Sequence, residues 1–305
     1  MPPYAFFHNE FVPLEKAKIG IMTNSLHYGN AVFEGIRGNW NSQQKQIYLF
    51  RLNDHYTRLL NGCKLLKIAL PYTVDDLCQL TVELVQKSGF TEDLYVRPLA
   101  YKSSEALGVR LHDLEADFFA FVIPWGKYID ADKCKCGVSS WRRMNSNMAS
   151  PQTKITGQYI NSAFAKTEAI ENGFDEAILL TEDGHVSEGS GENIFLVIDG
   201  KLVTPAVYNS ILVGITRGTI IELAKNELDI ETIERSIERN ELYSAREAFL
   251  TGAATRVQPI GEIDRRIIGD GEIGPITGKL QKVYDDVIRG NNPKYISWCT
   301  PVIKK

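Results

Sequence analysis

One lysine, Lys154, lies in a polar loop of Asn, Ser and Pro residues that follows strand-like sequence. The loop leads into a predicted helix, so the lysine lies near free N–H groups and the positive end of the helix dipole. If it is also desolvated, both effects disfavour its charged form, and its neutral amine can act as a nucleophile. Because most loop lysines are solvated, this interpretation depends on residues elsewhere. The apolar residues that predict one face of the helix are Ile160, Ala163, Phe164, Thr167 and Ile170.

Three glycine-containing segments offer backbone N–H groups to a bound anion: residues 187–191, 214–216 and 251–254. The segment 214–216 precedes a predicted helix, and helix N-termini favour phosphate through their free N–H groups and dipole. A glycine turn without a ligand is the commoner use of such sequence. Arg58 can add a bidentate grip on the same phosphate, and a solvated helix arginine is the alternative.

Two further side chains complete a set with a common chemistry. Glu188 lies in a Ser-Glu-Gly turn, either as an exposed turn residue or as the partner of a protonated ring nitrogen. Tyr159 follows Lys154 in the first turn of the predicted helix, either as a core residue or as a donor to a phenolate-like oxygen. An amine, a carboxylate and a phosphate site are together what pyridoxal 5′-phosphate requires.

The elements that position these groups predict an α+β protein of two domains. Residues 1–122 predict a small α+β domain of strands and two helices. A Pro-Trp-Gly break and a polar run at residues 123–135 predict an interdomain loop. Residues 136–305 predict a larger domain that carries Lys154.

Turn and cap residues set the expected bounds of the elements. Hairpins are predicted over residues 4–14 and through turns at residues 182–184 and 199–200, and residues 26–40 predict glycine-containing strand sequence. Gly89 is predicted to end the second helix. The predicted helix starts are Asn53, Thr73 with Asp76 as a capping box, Gly214, Glu238 and Gly278.

The composition is that of an ordinary globular chain. Its 305 residues are 44% hydrophobic with a net charge of −4 and no basic cluster, which argues against nucleic acid and anionic membranes as partners. The longest apolar run, residues 118–124, is too short for a bilayer, and no secretory signal is expected. The five scattered cysteines indicate a cytoplasmic location, and Cys134 and Cys136 are interpreted as packing residues rather than metal ligands.

The run from Glu188 to Arg217 resembles the signature of the class IV pyridoxal-phosphate-dependent aminotransferases. Stretches of the first half extend the similarity over nearly the whole chain and resemble branched-chain-amino-acid aminotransferases in particular. The resemblance implies the two-domain fold of type IV pyridoxal-phosphate enzymes, like D-amino-acid aminotransferase, with the cofactor between the domains. The matching residues are Glu188, Ser190, Asn193, Ile194, Phe195, Leu202, Thr204, Leu212, Gly214, Ile215 and Arg217, with the stretches LHYGNAVFEGIRG (26–38), LYVRPL (94–99), ALGV (106–109) and PWGKY (124–128).

The resemblance also implies roles for individual residues. Lys154 would be the catalytic residue that binds the cofactor as a Schiff base, Glu188 would keep the pyridine nitrogen protonated, and Tyr159 would bond the ring hydroxyl. The implied phosphate-binding residues are Arg58, Ile215, Thr216 and Ala253. The implied substrate-binding residues are Phe33, Gly35, Arg37, Tyr95, Arg97, Trp125, Tyr128, Ala253 and Ala254, with Tyr28, Leu107 and Val109 from a neighbouring subunit of at least a homodimer.

Three residues depart from the pattern of similar enzymes. Ala253 stands where threonine is frequent, so a hydroxyl toward the phosphate is missing. Arg256 and Thr156 are also unusual, and neither has a role that the sequence explains.

The expected activity is transfer of the amino group of leucine, isoleucine or valine to 2-oxoglutarate. Apolar and aromatic walls suit the aliphatic side chains, and Arg97 suits the carboxylate of glutamate. A D-amino-acid or (R)-amine transaminase and an aminodeoxychorismate lyase are alternatives on the same scaffold, and Tyr95-x-Arg97 with the Leu-Gly-Val at residues 107–109 favours the branched-chain enzyme over them. A non-catalytic module that binds a phosphate ligand is the alternative from another class, and the presence of Lys154 argues against it.

Overall fold

The computed structural model describes residues 3–302, and these form a mixed α and β structure. The helices are α1 (Asn24–Tyr28), α2 (Leu52–Leu65), α3 (Val74–Ser88), α4 (Tyr159–Glu171), α5 (Ile215–Leu228), α6 (Glu241–Ser244) and α7 (Pro275–Ile288). The strands are β1 (Tyr4–Phe7), β2 (Glu10–Pro13), β3 (Val32–Phe33), β4 (Ile36–Asn41), β5 (Gln46–Phe50), β6 (Leu94–Lys102), β7 (Ala116–Pro124), β8 (Cys134–Arg142), β9 (Glu176–Leu180), β10 (Val186–Gly189), β11 (Asn193–Ile198), β12 (Lys201–Thr204), β13 (Thr232–Glu234), β14 (Glu247–Gly252), β15 (Arg256–Ile263), β16 (Arg266–Ile267) and β17 (Cys299–Pro301).

The chain forms two compact units that are not continuous in sequence. Unit 1 contains the residues up to Gly126, the segment Thr153–Gly157 and the residues from Asp286 onward, whereas unit 2 contains the residues between them. The predicted division into 1–122 and 136–305 therefore differs from these units. The lysine segment belongs to unit 1 because its backbone bonds to β3, and the C-terminal residues belong there because β17 pairs with β5.

Unit 1 is an antiparallel sheet with the strand order β17-β5-β4-β6-β7-β1-β2, and β3 pairs with β6. Alternate residues of β7, such as Phe118 and Val122, point to one face and pack in one core with Leu59 of α2 and Leu84 of α3. The capping box of α3 is confirmed, because the Thr73 hydroxyl accepts from the N–H of Asp76 and the Asp76 carboxylate accepts from the N–H of Thr73.

Unit 2 is a sheet with the strand order β10-β9-β8-β15-β14-β11-β12-β13, and β16 pairs with β15. The pairs β8–β9, β8–β15 and β12–β13 are parallel, and the strand β9 is buried along its whole length. This accounts for its continuous apolar sequence, since strands covered on both faces do not alternate. The predicted hairpins β9–β10 and β11–β12 are confirmed.

Helix α4 begins after the lysine loop as predicted, but the predicted inward face is wrong. Ile160 and Ile170 are each 53% exposed, and Phe164 stacks on Trp141 at the surface of the chain. The buried residues of α4 are Asn161, Ser162, Ala165 and Ala169. These small side chains allow the helix to pack closely on β9, whereas the larger apolar residues lie on the other side.

Several helix starts also differ from prediction, and that of α7 differs because its cap comes from elsewhere in the chain. Helix α2 begins at Leu52 after Arg51 in the left-handed region (φ 51°), so Asn53 is not its cap. Helix α7 begins at Pro275 instead of Gly278, because the carboxylate of Glu247 in β14 accepts from the N–H groups of Ile276 and Thr277. Residues 26–40 include the end of α1 as well as strands, and α6 begins at Glu241 instead of Glu238.

Within residues 3–302, none of the helices combines the length and the apolar sequence that crossing a membrane requires.

Candidate active site

Lys154 lies in a segment that is tied to β3 by backbone hydrogen bonds. The N–H of Phe33 donates to the carbonyl of Lys154 at 3.0 Å, and the N–H of Thr156 donates to the carbonyl of Ala31 at 2.9 Å. The lysine side chain is half-buried, with its Nζ 5.5 Å from the centre of the Phe33 ring. The backbone bonds fix the position of Lys154 relative to β3, which is what a reacting amine requires.

Thr156 gains a role from this arrangement. Its hydroxyl donates to the carbonyl of Gly29 at 2.8 Å. A Cβ on Gly29 would lie only 2.5 Å from the Cα of Gly157, so this contact requires glycine. Thr156 therefore helps to hold the lysine segment against the end of α1.

Arg58 of α2 is held by a buried carboxylate that the sequence analysis missed. Its Nε lies 2.6 Å from Oε1 of Glu34, and its Nη2 lies 2.8 Å from Oε2. His55 Nδ1 lies 2.7 Å from the same Oε2. Burial raises the pKa of Glu34, but the charge of Arg58 and the hydrogen bonds from Arg58 and His55 outweigh it and hold that pKa far below its usual range. A glutamate inside an apolar strand sequence was the available signal, since buried carboxylates are paired.

Three of the predicted substrate-binding residues form an aromatic group beside a fourth, Arg97. The guanidinium of Arg97 lies 4.6 Å from the centre of the Phe33 ring, and its Nη2 donates to the hydroxyl of Tyr95 at 3.2 Å. The rings of Tyr95 and Trp125 lie 5.4 Å apart. A Cβ on Gly35 would lie 1.9 Å from the Tyr95 hydroxyl oxygen, so Gly35 provides the space for this ring.

The remaining predicted residues of unit 1 lie in two places. Arg37 is buried in β4 and donates to the carbonyl of Gly126 at 3.2 Å. Tyr28 accepts from the N–H of Gly108 at 2.9 Å, which brings α1 and the loop of Leu107 and Val109 together. Val109 is 90% exposed and Leu107 59% exposed, so these side chains do not contribute to the core of their own chain.

In unit 2, Glu188 is 4% exposed at the end of β10 and is held by hydrogen-bond donors. Its Oε2 accepts from the Nδ2 of Asn193 at 3.0 Å and from the N–H of Leu212 at 2.9 Å, and its Oε1 lies 2.8 Å from the Nη2 of Arg143. These donors favour the ionised carboxylate. Arg143 was not among the predicted site residues, and Asn193 had no predicted role beyond the signature.

Helix α5 begins after Gly214 as predicted, and in the described part of the chain no side chain caps it. Its first residues, Ile215 and Thr216, therefore present N–H groups that no intrahelical carbonyl can satisfy. A Cβ on Gly214 would lie 2.0 Å from Oδ1 of Asn193, so glycine is required where the helix passes the Glu188 group.

The predicted phosphate and substrate residue Ala253 and its neighbour Ala254 lie in the turn between β14 and β15. Just before this turn, the hydroxyl of Thr251 is buried without a hydrogen-bond partner among residues 3–302. Tyr159 is the half-buried first residue of α4, and Tyr128 is an exposed residue whose ring lies 5.8 Å from Nζ of Lys166.

These residues fit pyridoxal 5′-phosphate. The described residues include an uncapped helix start for a phosphate, a buried carboxylate for a ring nitrogen, a positioned arginine and a fixed lysine. No group of acidic, histidine and cysteine side chains that could hold a metal ion occurs among the described residues.

Comparison with known proteins gives a consistent result. The family model described as "Amino-transferase class IV" matches residues 31–263. A "Probable branched-chain-amino-acid aminotransferase" of Aquifex aeolicus is 48% identical over 303 residues, which is 99% of this chain and 97% of that protein.

Solved structures are also similar over almost their whole length. The branched-chain aminotransferase from the archaeon Thermoproteus uzoniensis, solved with norvaline, has a TM-score of 0.94 and 43% identity and covers 98% of this chain and 99% of its own. The branched-chain amino acid aminotransferase from Thermobaculum terrenum, solved in its PLP-form, has a TM-score of 0.94 and 38% identity and covers 99% of both chains.

Proposed function

We propose that this chain, which belongs to the class IV aminotransferases, transfers the amino group of leucine, isoleucine or valine to 2-oxoglutarate with pyridoxal 5′-phosphate as its cofactor. The observation that carries the proposal is Lys154, whose backbone is fixed to β3 and whose amine lies beside the Phe33 ring. The substrate class is supported by the names of relatives, one of which is 48% identical over nearly the full length.

The proposed cofactor residues are those that the family resemblance implies. Arg58 and the N–H groups of Ile215, Thr216 and Ala253 would hold the phosphate. Glu188, supported by its three donors, would hold the ring nitrogen in its protonated form, and Tyr159 would donate to the ring hydroxyl. When bound, the cofactor supplies an electron sink that makes the hydrogen on the substrate Cα acidic.

Lys154 would then act through its Nζ as a general base and acid. The neutral amine would accept the proton that leaves the substrate Cα, and the resulting ammonium would deliver a proton to the C4′ carbon of the cofactor within the same half-reaction. In the second half-reaction, the amine would move a proton in the opposite direction. The backbone bonds of the lysine segment would keep Nζ in place for both transfers.

The aromatic group around Arg97 would select the substrate. Phe33, Tyr95 and Trp125 would pack against an aliphatic side chain, and Arg97 would meet the side-chain carboxylate of glutamate. The hydroxyl of Tyr95 and the ring of Phe33 both contact Arg97, so its guanidinium is placed before a substrate arrives.

A spectral titration tests the proposal. Addition of pyridoxal 5′-phosphate to the wild-type protein should produce a visible absorbance band, and L-leucine should then remove it. Lys154→Ala should lose both the band and turnover, whereas Lys127→Ala, at an exposed lysine, should keep both. An active, coloured Lys154→Ala protein would refute the role of Lys154. Faster turnover of D-alanine or (R)-1-phenylethylamine than of L-leucine would instead identify one of the alternative substrate classes.

We also propose a cytoplasmic homodimer with small-molecule partners only. The exposed side chains of Tyr28, Leu107 and Val109 support an interface with a second copy, since large apolar side chains in a patch mark interaction sites. The free state of all five cysteines is in keeping with a reducing compartment. Light scattering of Val109→Glu against the wild-type protein tests the interface, and an unchanged dimer would contradict it. The domain division 1–122, 123–135 and 136–305 stays a prediction.

A further inference from the structure

The turn between β14 and β15 has a tightly defined backbone. Gly252 and Arg256 are paired across the hairpin, which leaves a three-residue loop, and Arg256 adopts a left-handed conformation with φ 63°. A left-handed residue after a three-residue loop is a standard way to close such a hairpin. Ala253 and Ala254 carry no polar side chains, so this part of the turn can hold an anion only through backbone N–H groups. The direction in which these N–H groups point depends on the contacts that fix the backbone of the turn.

One side chain under the turn is Glu192, which is 4% exposed. Its Oε1 accepts from the hydroxyl of Thr255 at 3.1 Å, and its Oε2 accepts from the N–H of Gly191 at 3.1 Å. Its own carbonyl accepts from the N–H of Gly189 at 2.7 Å. Glu192 therefore joins the turn to the connection between β10 and β11, the same connection that follows Glu188.

The surroundings of Glu192 keep it from acting as an isolated negative charge. The neighbouring carboxylate of Glu176 is fully buried and is paired with Lys166, whose Nζ lies 2.7 Å away. Burial, and then the charge of Glu176, raise the pKa of Glu192 well above its usual range. The thiol of Cys136 also interacts with both Glu176 and Glu192. Its hydrogen bond with Cys134 and its burial raise its pKa. A neutral Glu192 can support the turn without repelling an anion bound there.

A second contact holds the other end of the turn. The Nη1 of Arg256 lies 3.2 Å from Oδ1 of Asp285 in α7, and about half of the Asp285 side chain is exposed (48%). Exposed ion pairs contribute little to stability, whereas a buried hydrogen bond is costly to lose. The hydrogen bond between Thr255 and Glu192 is partly buried.

We propose that Thr255 and Glu192 are positioning residues that fix the turn 253–255, so that its backbone N–H groups are aligned for the phosphate of the cofactor. The inference rests on the proposed function, since it takes the turn to be part of the cofactor site. It assigns a use to Thr255 and Glu192, and it explains how a turn that begins with two alanines can bind an anion.

Cofactor affinity of the apoprotein tests the inference. Thr255→Val should weaken the binding of pyridoxal 5′-phosphate by about three- to tenfold, as expected for one lost hydrogen bond. Thr255→Ser should restore it. Binding of pyridoxal, which lacks the phosphate, should be unchanged in both variants. The matched control is Thr232→Val in β13, where the buried hydroxyl has no hydrogen-bond partner among residues 3–302, and it should bind the cofactor as the wild type does.

Equal affinity of Thr255→Val and the wild type would overturn the inference, as would an equal loss of pyridoxal binding. If Thr255→Val does not fold, Thr255→Ala also removes the hydroxyl and leaves a smaller side chain. The same results are expected for this variant. Failure of the wild-type protein to bind pyridoxal 5′-phosphate would refute the proposed function itself, which separates the two outcomes.

Discussion

The two units offer different means of holding an anion. In unit 1, the cation Arg58 is fixed by an ionised, buried glutamate, Glu34. In unit 2, we propose that backbone N–H groups at the start of α5 and in the turn 253–255 take this role, and burial raises the pKa of the glutamate beneath the turn, Glu192. The pKa values of the two buried carboxylates are therefore shifted in opposite directions: that of Glu34, which pairs with a cation, is lowered, and that of Glu192, beneath a backbone turn, is raised.

The comparison is tested most severely by Glu34→Gln. The substitution removes the buried charge that pairs with Arg58, so we expect the free energy of unfolding to fall by about 3–5 kcal/mol and cofactor affinity to fall with it. Urea unfolding measures the first effect. The control is Asp93→Asn, which breaks the bidentate but half-exposed pair of Asp93 with Arg289 and should cost about 1–2 kcal/mol. Equal losses of unfolding free energy in the two variants would contradict the larger contribution expected of Glu34.

Gly214→Ala tests the backbone site of unit 2. The new Cβ would collide with Oδ1 of Asn193, whose amide donates to Glu188 and to the carbonyl of Leu212, so the variant should lose about 1–3 kcal/mol of stability. Gly218→Ala in the same helix meets no atom within 4 Å and should gain about 0.5–1 kcal/mol. Thermal unfolding of both variants distinguishes a steric effect at one position from a general effect of alanine on α5. A stabilised Gly214→Ala protein would contradict the arrangement.

The pH dependence of stability should differ between the two glutamates. The lowered pKa of Glu34 contributes stability above the usual glutamate range, and this contribution is lost as the pH falls through and below about 4. The raised pKa of Glu192 contributes stability that is complete below about pH 4 and is lost as the pH rises toward neutrality. The Glu192→Gln variant has no carboxyl group to titrate at this position. When the pH is raised from about 5 to 8, the melting temperature of the variant should therefore fall by about 2–5 °C less than that of the wild type. If the melting temperatures of the two proteins changed equally over this pH range, a neutral Glu192 would be excluded.

Features that depend on neighbouring residues in sequence were predictable. The capping box of Thr73 and Asp76, the hairpins and the start of α5 after Gly214 all follow from local residue types, and the structure confirms them. The family signature likewise predicts the class of protein from the sequence alone, and a relative that is 48% identical over nearly the full length supports the same family.

Contacts between distant residues were not predictable in this way. Glu34 and His55 are 21 residues apart, and Glu192 and Thr255 are 63 residues apart, so no spacing rule connects them. The inward face of α4 was wrong because the larger apolar residues lie on the exposed side of the helix, as expected if they meet another surface. The start of α7 was wrong because Glu247, in another strand, supplies its cap.

The discontinuity of unit 1 has a consequence for synthesis of the protein. Its edge strand β17 (Cys299–Pro301) follows every residue of unit 2 in the sequence, and Lys154 belongs to a segment inserted into the same unit. Unit 1 therefore cannot complete its sheet before unit 2 has been synthesised, unlike a domain formed from consecutive residues. Vectorial folding would leave β5 without β17 while unit 2 is being made, and an unpaired strand edge is prone to aggregation during that interval.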